Sequence, residues 1–123
     1  MKRVAIVGAS RNRAKFGNKS VRAHAAAGWR VVPVNLRGGE IEGVPVARSL
    51  AEAGAPLDRV SVYLPPGKSL ALLPELAAAA PREVWFNPGA ADERVFEEAR
   101  RLGLVVVDGC SIVDVGFSPE QFP

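Results

Sequence analysis

The stretch Val4-Ala5-Ile6-Val7-Gly8-Ala9-Ser10, continued by Arg11-Asn12-Arg13-Ala14-Lys15-Phe16-Gly17-Asn18, decides the fold. Four consecutive apolar residues without alternation read as a strand buried on both faces, the habit of parallel sheets. Gly8 then opens a loop. Beyond it, Lys19 to Ala27 is rich in helix formers and stops at Gly28, a residue suited to the C′ position, with Asn18 or Gly17 as the cap. Arg30-Val31-Val32-Pro33-Val34 begins the next strand two residues later. A helix between two such strands is a βαβ unit, which closes with a right-handed crossover.

The same grammar continues downstream. A short strand is expected at Val44 to Val46 and a helical piece at Ser49-Leu50-Ala51-Glu52, capped by Ser49. Val60-Ser61-Val62-Tyr63-Leu64 reads as the third buried strand, stopped by Pro65-Pro66-Gly67. In the helix that follows, Pro74 fits best at the first turn of the main segment, because an interior proline costs about 3 kcal/mol, and Pro81 ends it. Val84-Trp85-Phe86 is a fourth strand. The segment Asp92 to Leu102 places Val95, Phe96, Ala99 and Leu102 on one helical face, with acids at its start and Arg100 and Arg101 at its end. Leu104-Val105-Val106-Val107 closes the series. The pattern predicts a three-layer α/β sandwich around a mostly parallel sheet of about five strands. The expected organisation is one domain over residues 1–123, with 117–123 as a peripheral tail and no room for a second, catalytic domain.

Composition narrows the chemistry. A lone Cys110 and a lone His24 exclude a disulfide framework, a thiolate cluster and a multi-histidine zinc site, so no metal is expected. The run Val4 to Val7 is too short for a signal segment or a membrane span, which predicts a cytoplasmic protein with no membrane partner. The sequence pI of about 9.5 invites a nucleic-acid reading. Yet the charge is local: residues 1–40 hold nine Lys or Arg against Glu40 alone, a balance of +8, while the remainder carries −5. No recognition helix or aromatic ribonucleoprotein pattern accompanies it, and no nucleic-acid partner is expected.

In open parallel sheets ligands lie beyond the carboxyl ends of the strands, where the strand order reverses. At the first end, Gly8 permits a tight turn, free amides at the helix start point at the loop, and Ser10, Arg11 and Lys15 add a hydroxyl and two cations, a suitable cradle for a diphosphate. The loop is neither GxGxxG, since Ser10 and Arg13 stand where glycines would, nor a Walker A sequence. At the second end Val34-Asn35 replaces the acidic residue of an NAD site. Asn35 bonds a sugar or base without adding negative charge, and Arg37 is near enough to pair with a ribose phosphate. A diphosphate plus a phosphorylated ribose describes coenzyme A or NADP. At the third end Leu64-Pro65-Pro66 is rigid and apolar, suited to packing against adenine or pantetheine. Asn87-Pro88-Gly89 at the fourth either holds polar atoms of a ligand's distal arm or is a turn.

Together Gly8-Ala9-Ser10, Lys15-Phe16-Gly17-Asn18, Val32-Pro33-Val34-Asn35 and Val62-Tyr63-Leu64-Pro65-Pro66 resemble the small single-domain CoA-binding proteins, which are similar to the CoA-binding domain of the succinyl-CoA synthetase alpha subunit. The resemblance runs from about Arg3 to Cys110. It implies a Rossmann-like fold with coenzyme A as the cofactor. The diphosphate would lie on Gly8, Ala9, Ser10, Arg11, Lys15 and Phe16, the adenosine part at Val34 and Asn35, and the pantetheine near Leu64 and Pro65. The chain departs from the family pattern at Leu64-Pro65, where an Arg-Pro pair is frequent, at Asn87-Pro88-Gly89, and at Cys110-Ser111, where the family carries Cys-Pro.

No catalytic constellation stands out. His24 sits mid-helix, too far along to reach the strand ends. Cys110 reads as a small core cysteine, with a mixed disulfide to a thiol ligand as the less favoured role. Trp29 and Trp85 read as core or subunit-contact residues, and Lys19, Arg22 and Arg30 as a solvated face. The expectation is a module that binds CoA or an acyl-CoA without turnover of its own, with a partner protein or a homo-oligomer allowed. The alternatives are an NAD(P)-binding oxidoreductase-type domain and a subunit of an acyl-CoA synthetase.

Overall fold

A computed structural model describes all residues, 1–123. In chain order the elements are strand β1 (Arg3–Val7), helix α1 (Phe16–Ala26), β2 (Arg30–Val34), a small hairpin of β3 (Glu40–Ile41) and β4 (Val44–Pro45), α2 (Leu50–Ala53), β5 (Arg59–Val62), α3 (Pro66–Ala79), β6 (Val84–Phe86), α4 (Glu93–Arg101), β7 (Val106–Asp108), α5 (Ser111–Asp114) and a 3-10 turn at Pro119–Gln121. Five strands form one sheet in the order β2-β1-β5-β6-β7, every neighbour parallel. The chain steps outward from β1 to β2 and then returns to lay β5 on the opposite side of β1. This is the doubly wound Rossmann-like arrangement, and the winding reverses between β1 and β5.

The two-residue period of the strands sorts the core onto two faces. Val4 and Ile6 meet Val21 of α1. Ala5, Val7, Val60, Val62, Val84 and Phe86 face the other way, onto Leu73 and Leu76 of α3 and Val95 and Ala99 of α4. The alternate residues of β5, Arg59 and Ser61, are polar, and Asn87 follows β6 on the same face. Ser61 lies with its Oγ 2.7 Å from Ser111 Oγ, and Asn87 donates to Ser61 Oγ at 2.8 Å and to Val62 O at 3.0 Å. Its Oδ1 accepts from Ser111 N at 2.9 Å and from the Ser111 hydroxyl at 3.1 Å, so the carboxamide is fully used inside the protein. At the other end of this face Arg59 is buried between the indoles of Trp29 and Trp85, 4.6 Å from each ring centre. Glu83 at 2.8 Å and Asp114 at 2.6 Å neutralise it. The two tryptophans thus frame an internal cation, an arrangement that suits the flat guanidinium.

Several boundaries differ from expectation, each for a local reason. Helix α1 starts three residues early, at Phe16 with Lys15 as the cap residue, because Asn18 turns its side chain to Ser10 O and Glu42 instead of capping. Pro74 lies inside α3, not in its first turn; Pro66 holds that place, and the helix accommodates Pro74 where it is exposed along a groove beside α4. That helix ends at Ala79, with Ala80 left-handed at φ 46° and Pro81 beyond it. β5 stops at Val62, short of Tyr63 and Leu64. β7 begins at Val106 instead of Leu104, whose N–H goes to Ala99 O to close α4. Cys110 is half-buried instead of sealed in the core. Lys19 and Arg22 are not a solvated face: both hold the backbone of residues 119–123 against α1. The outer edge of β2 is closed in part by Ala47, which bonds Pro33 O through its N–H and the Asn35 N–H through its carbonyl. No helix is long and apolar enough to cross a membrane.

Candidate ligand-binding cleft

The junction of β1, its loop and α1 is built on two glycines. Gly8 has φ +85°, and a Cβ there would collide with the carbonyl of Tyr63 on β5's continuation. Gly17, in the first turn of α1, approaches Gly8 O so closely that a Cβ would have no room. Between them the loop is wound on itself. Asn12 N donates to Ser10 Oγ at 3.0 Å, Ala14 N to Asn12 Oδ1 at 3.0 Å, and Lys15 N to Asn12 O at 3.0 Å. Asn18 Nδ2 donates to Ser10 O at 2.9 Å and Asn35 Nδ2 to Ala9 O at 2.8 Å, pinning the loop from α1 and from the end of β2. The N–H groups of Phe16 and Gly17 have no partner, as the first turn of a helix requires.

Two contiguous cavities open at the carboxyl ends of β1, β2 and β5, sharing Gly8, Asn35 and Leu64. One, of about 620 Å³, runs from the loop past Pro65 and Pro66 to Pro88 and Gly89. The other, of about 450 Å³, lies over Val34 and is ringed by Arg37, Arg48 and Lys68. Gly8, Ala9, Ser10, Lys15, Phe16, Asn35, Leu64 and Pro65 line the first, and Val34 joins Gly8, Asn35 and Leu64 in the second. Arg11 is the exception. Its guanidinium donates to Gly38 O and lines neither cavity. Asn35 also has less freedom than its place implied, because its Oδ1 accepts from Arg37 N at 2.8 Å.

Arg48 and Lys68 belong to no motif in the sequence, although Lys68 carries a local signal. Negative groups stabilise helix N-termini, as Asp92 and Glu93 do for α4. Helix α1 has Lys15 at its cap, α3 has Lys68 in its first turn, and neither first turn holds an acid. A cation in that position is unfavourable until an anion sits between it and the free N–H groups. Lys15, Arg37, Arg48 and Lys68 form no ion pair with any carboxylate. The one carboxylate in the cleft, Glu75, accepts from Leu50 N at 3.1 Å and holds the start of α2.

Two further titratable groups are tied into the core, His24 on α1 and Tyr63, which also lines the first cavity. His24 is fully buried; its Nδ1 donates to Ser20 O at 2.9 Å and its Nε2 faces Arg59 Nη1 at 3.4 Å. Burial first, and the Arg59 charge as well, lower its pKa from 6.5 to about 4. The Tyr63 phenol is pushed up by burial and hydrogen-bonds Ser111 Oγ at 3.1 Å. The cleft lining contains no histidine or cysteine.

Residues 2–116 match the model of a family described as a CoA binding domain. The conserved hypothetical protein of Pyrococcus furiosus has a solved structure similar to this chain, with a TM-score of 0.85 and 32% identity, covering 93% of this chain and 99% of that one. The uncharacterised protein YneT of Bacillus subtilis is 27% identical over 110 residues, which is 89% of this chain and 82% of YneT. The fold also recurs in the dinucleotide forming acetyl-coenzyme A synthetase 1 of Ca. Korarchaeum cryptofilum, with a TM-score of 0.74 and 21% identity, over 88% of this chain and 26% of that one.

Proposed function

We propose, from the premise that this chain belongs to the CoA binding domain family, that it binds coenzyme A or an acyl-CoA in the cleft between the ends of β1 and β5, as a binding module without turnover of its own. The observation that carries the reading is the placement of Lys15 and Lys68 at two helix starts, against the helix dipoles and without a carboxylate partner. A polyanion resolves both conflicts at once. Its diphosphate would accept from the free N–H groups of Phe16 and Gly17, with Lys15 and the Ser10 hydroxyl beside them. Arg37, Arg48 and Lys68 ring the second cavity, where the phosphate on the ribose would lie against neutral Asn35. The pantetheine arm would follow the apolar wall of Leu64, Pro65 and Pro66 toward Gly89. The lining holds no histidine or cysteine and its one carboxylate, Glu75, is taken up by Leu50 N, which favours binding over turnover, and a reaction on the thiol would call for a partner protein. The acetyl-coenzyme A synthetase neighbour, in which this fold is a fraction of the chain, supports that arrangement. The CoA pool of the cytoplasm is the expected setting.

Calorimetric titration with CoA, dephospho-CoA, NAD and NADP tests the reading. CoA should bind about tenfold more tightly than dephospho-CoA, with NAD weaker than both. Uptake of NAD or NADP with none of CoA would overturn it.

A further inference from the structure

We propose that Arg22 is a positioning residue for the Gly8 to Asn18 loop and couples that loop to residues 117–123, so that ligand uptake and docking of this segment support one another. The proposal rests on the reading of the cleft as a coenzyme A site. Arg22 and Phe122 both lie outside the cleft lining. Arg22 follows Asn18 by one turn of α1, and its Nε donates to Asn18 Oδ1 at 2.7 Å. Nη2 donates both to Arg13 O at 2.8 Å and to Phe122 O at 3.1 Å, and Nη1 to Pro123 O at 3.2 Å. One planar group therefore touches the loop at two points and the distal segment at two more.

The loop side of this joint is rigid. Asn18 is completely buried, and its Nδ2 is engaged by Ser10 O and by Glu42 Oε2 at 3.1 Å. Its carboxamide cannot turn over without breaking those bonds, so Oδ1 needs a donor from the Arg22 side. Glu42 also pairs with Arg13 at 3.2 Å, from a backbone held at φ 50°, and so closes the loop from the β3–β4 hairpin. The segment side is a hook folded on itself and held to α1. Ser118 N donates to Gln121 Oε1 at 2.8 Å, the rings of Phe117 and Phe122 meet edge to face at 5.3 Å, and Lys19 Nζ reaches Pro119 O at 3.3 Å. The Phe122 ring lies 5.7 Å from the Arg22 guanidinium carbon. When the hook is docked, the fork of Arg22 is aimed at Arg13 O and Asn18. When it leaves, a long side chain regains its freedom and the loop loses its donors. Because the two events share one side chain, the coupling must act in both directions.

The test uses the full chain and two readouts. CoA affinity is measured by calorimetry for the parent protein, Arg22→Gln, Arg22→Lys and Phe122→Ala, and amide exchange is followed at Ala14, Lys15, Gln121 and Phe122. Arg22→Gln and Arg22→Lys should each weaken CoA by about tenfold, since the lysine keeps the charge but not the fork, and Phe122→Ala should weaken it severalfold. CoA should slow exchange at Gln121 and Phe122, and without any ligand Phe122→Ala should speed exchange at Ala14 and Lys15. Parental affinity in Arg22→Lys, or unchanged loop exchange in Phe122→Ala, overturns the coupling. If the parent protein takes up no CoA, the reading of the cleft falls, and the exchange arm still decides the joint. If Arg22→Gln does not fold, Phe122→Ala decides it alone.

Discussion

Gly17 has no room for a methyl group, since a Cβ would meet the carbonyl of Gly8, a backbone atom that cannot step aside. Gly17→Ala should therefore force α1 away from β1 and cost about 2 kcal/mol or more, seen as a lower urea midpoint, together with weaker anion binding. Parental stability and affinity would show that the junction is looser than its geometry. His24 makes a different demand. Its ring titrates at 6.5 when unfolded and at about 4 in the native protein, because burial refuses the proton. Between those two values the unfolded chain binds a proton that the native chain does not, so stability is complete above pH 6.5 and declines as the pH falls toward 4. The full effect is about 3 kcal/mol. Urea unfolding at a series of pH values should follow that slope, and His24→Gln should flatten it. A slope unchanged in the variant would assign the acid sensitivity elsewhere.

At the scale of elements, α3 and α4 contrast. Asp92 accepts from Val95 N at 3.2 Å and opens a helix with Glu93 in its first turn and arginines in its last. Asp92→Ala should lower stability by about 1 kcal/mol. Helix α3 has Pro74 in its interior, where the ring removes the N–H that would meet Leu70 O. Pro74→Ala should raise the melting temperature, by about 1–2 kcal/mol of stability once the greater freedom of the unfolded chain is subtracted. A lower melting temperature would mean that the ring is held by packing along its groove. These helices also mark what the sequence reveals. The amphipathic stripe and charged ends of α4 are local properties, and its limits were legible within one residue. The limits of α1 were not, because Asn18 is drawn from the cap role by Ser10 and by Glu42, which is 24 residues away. Pro74 was misplaced for a similar reason: tolerance of a missing bond depends on exposure, which propensity does not contain.

Across the whole molecule, the basic first third proves to be mostly structural. Arg3 bonds carbonyls at Gly54 and Pro56, Lys2 lies over Trp29, Arg13 pairs with Glu42, and Lys19 and Arg22 hold residues 119–123. Of the cations between Gly8 and α1 only Lys15 faces the cleft, and Arg48 and Lys68 from outside that third join it. The place of the cleft was legible because strand ends gather at a reversal of winding, a rule of topology. The direction of Arg11 was not, since the carbonyl that takes it belongs to the turn after β2. If four unpaired cations hold the ligand, affinity for CoA should fall roughly tenfold between about 0.05 and 0.5 M salt. Salt-insensitive affinity would place the phosphates away from them.

The sheet's margins have a consequence for how copies of the chain can meet. On the β2 side Pro33 offers no N–H, and Ala47 already occupies its carbonyl and the Asn35 N–H. On the β7 side three residues form the strand, the last of them the exposed Asp108. Both borders are therefore poor templates for a visiting strand, one blunted by Pro33 and Ala47 and the other by its shortness and a terminal charge, which disfavours edge-to-edge stacking of copies.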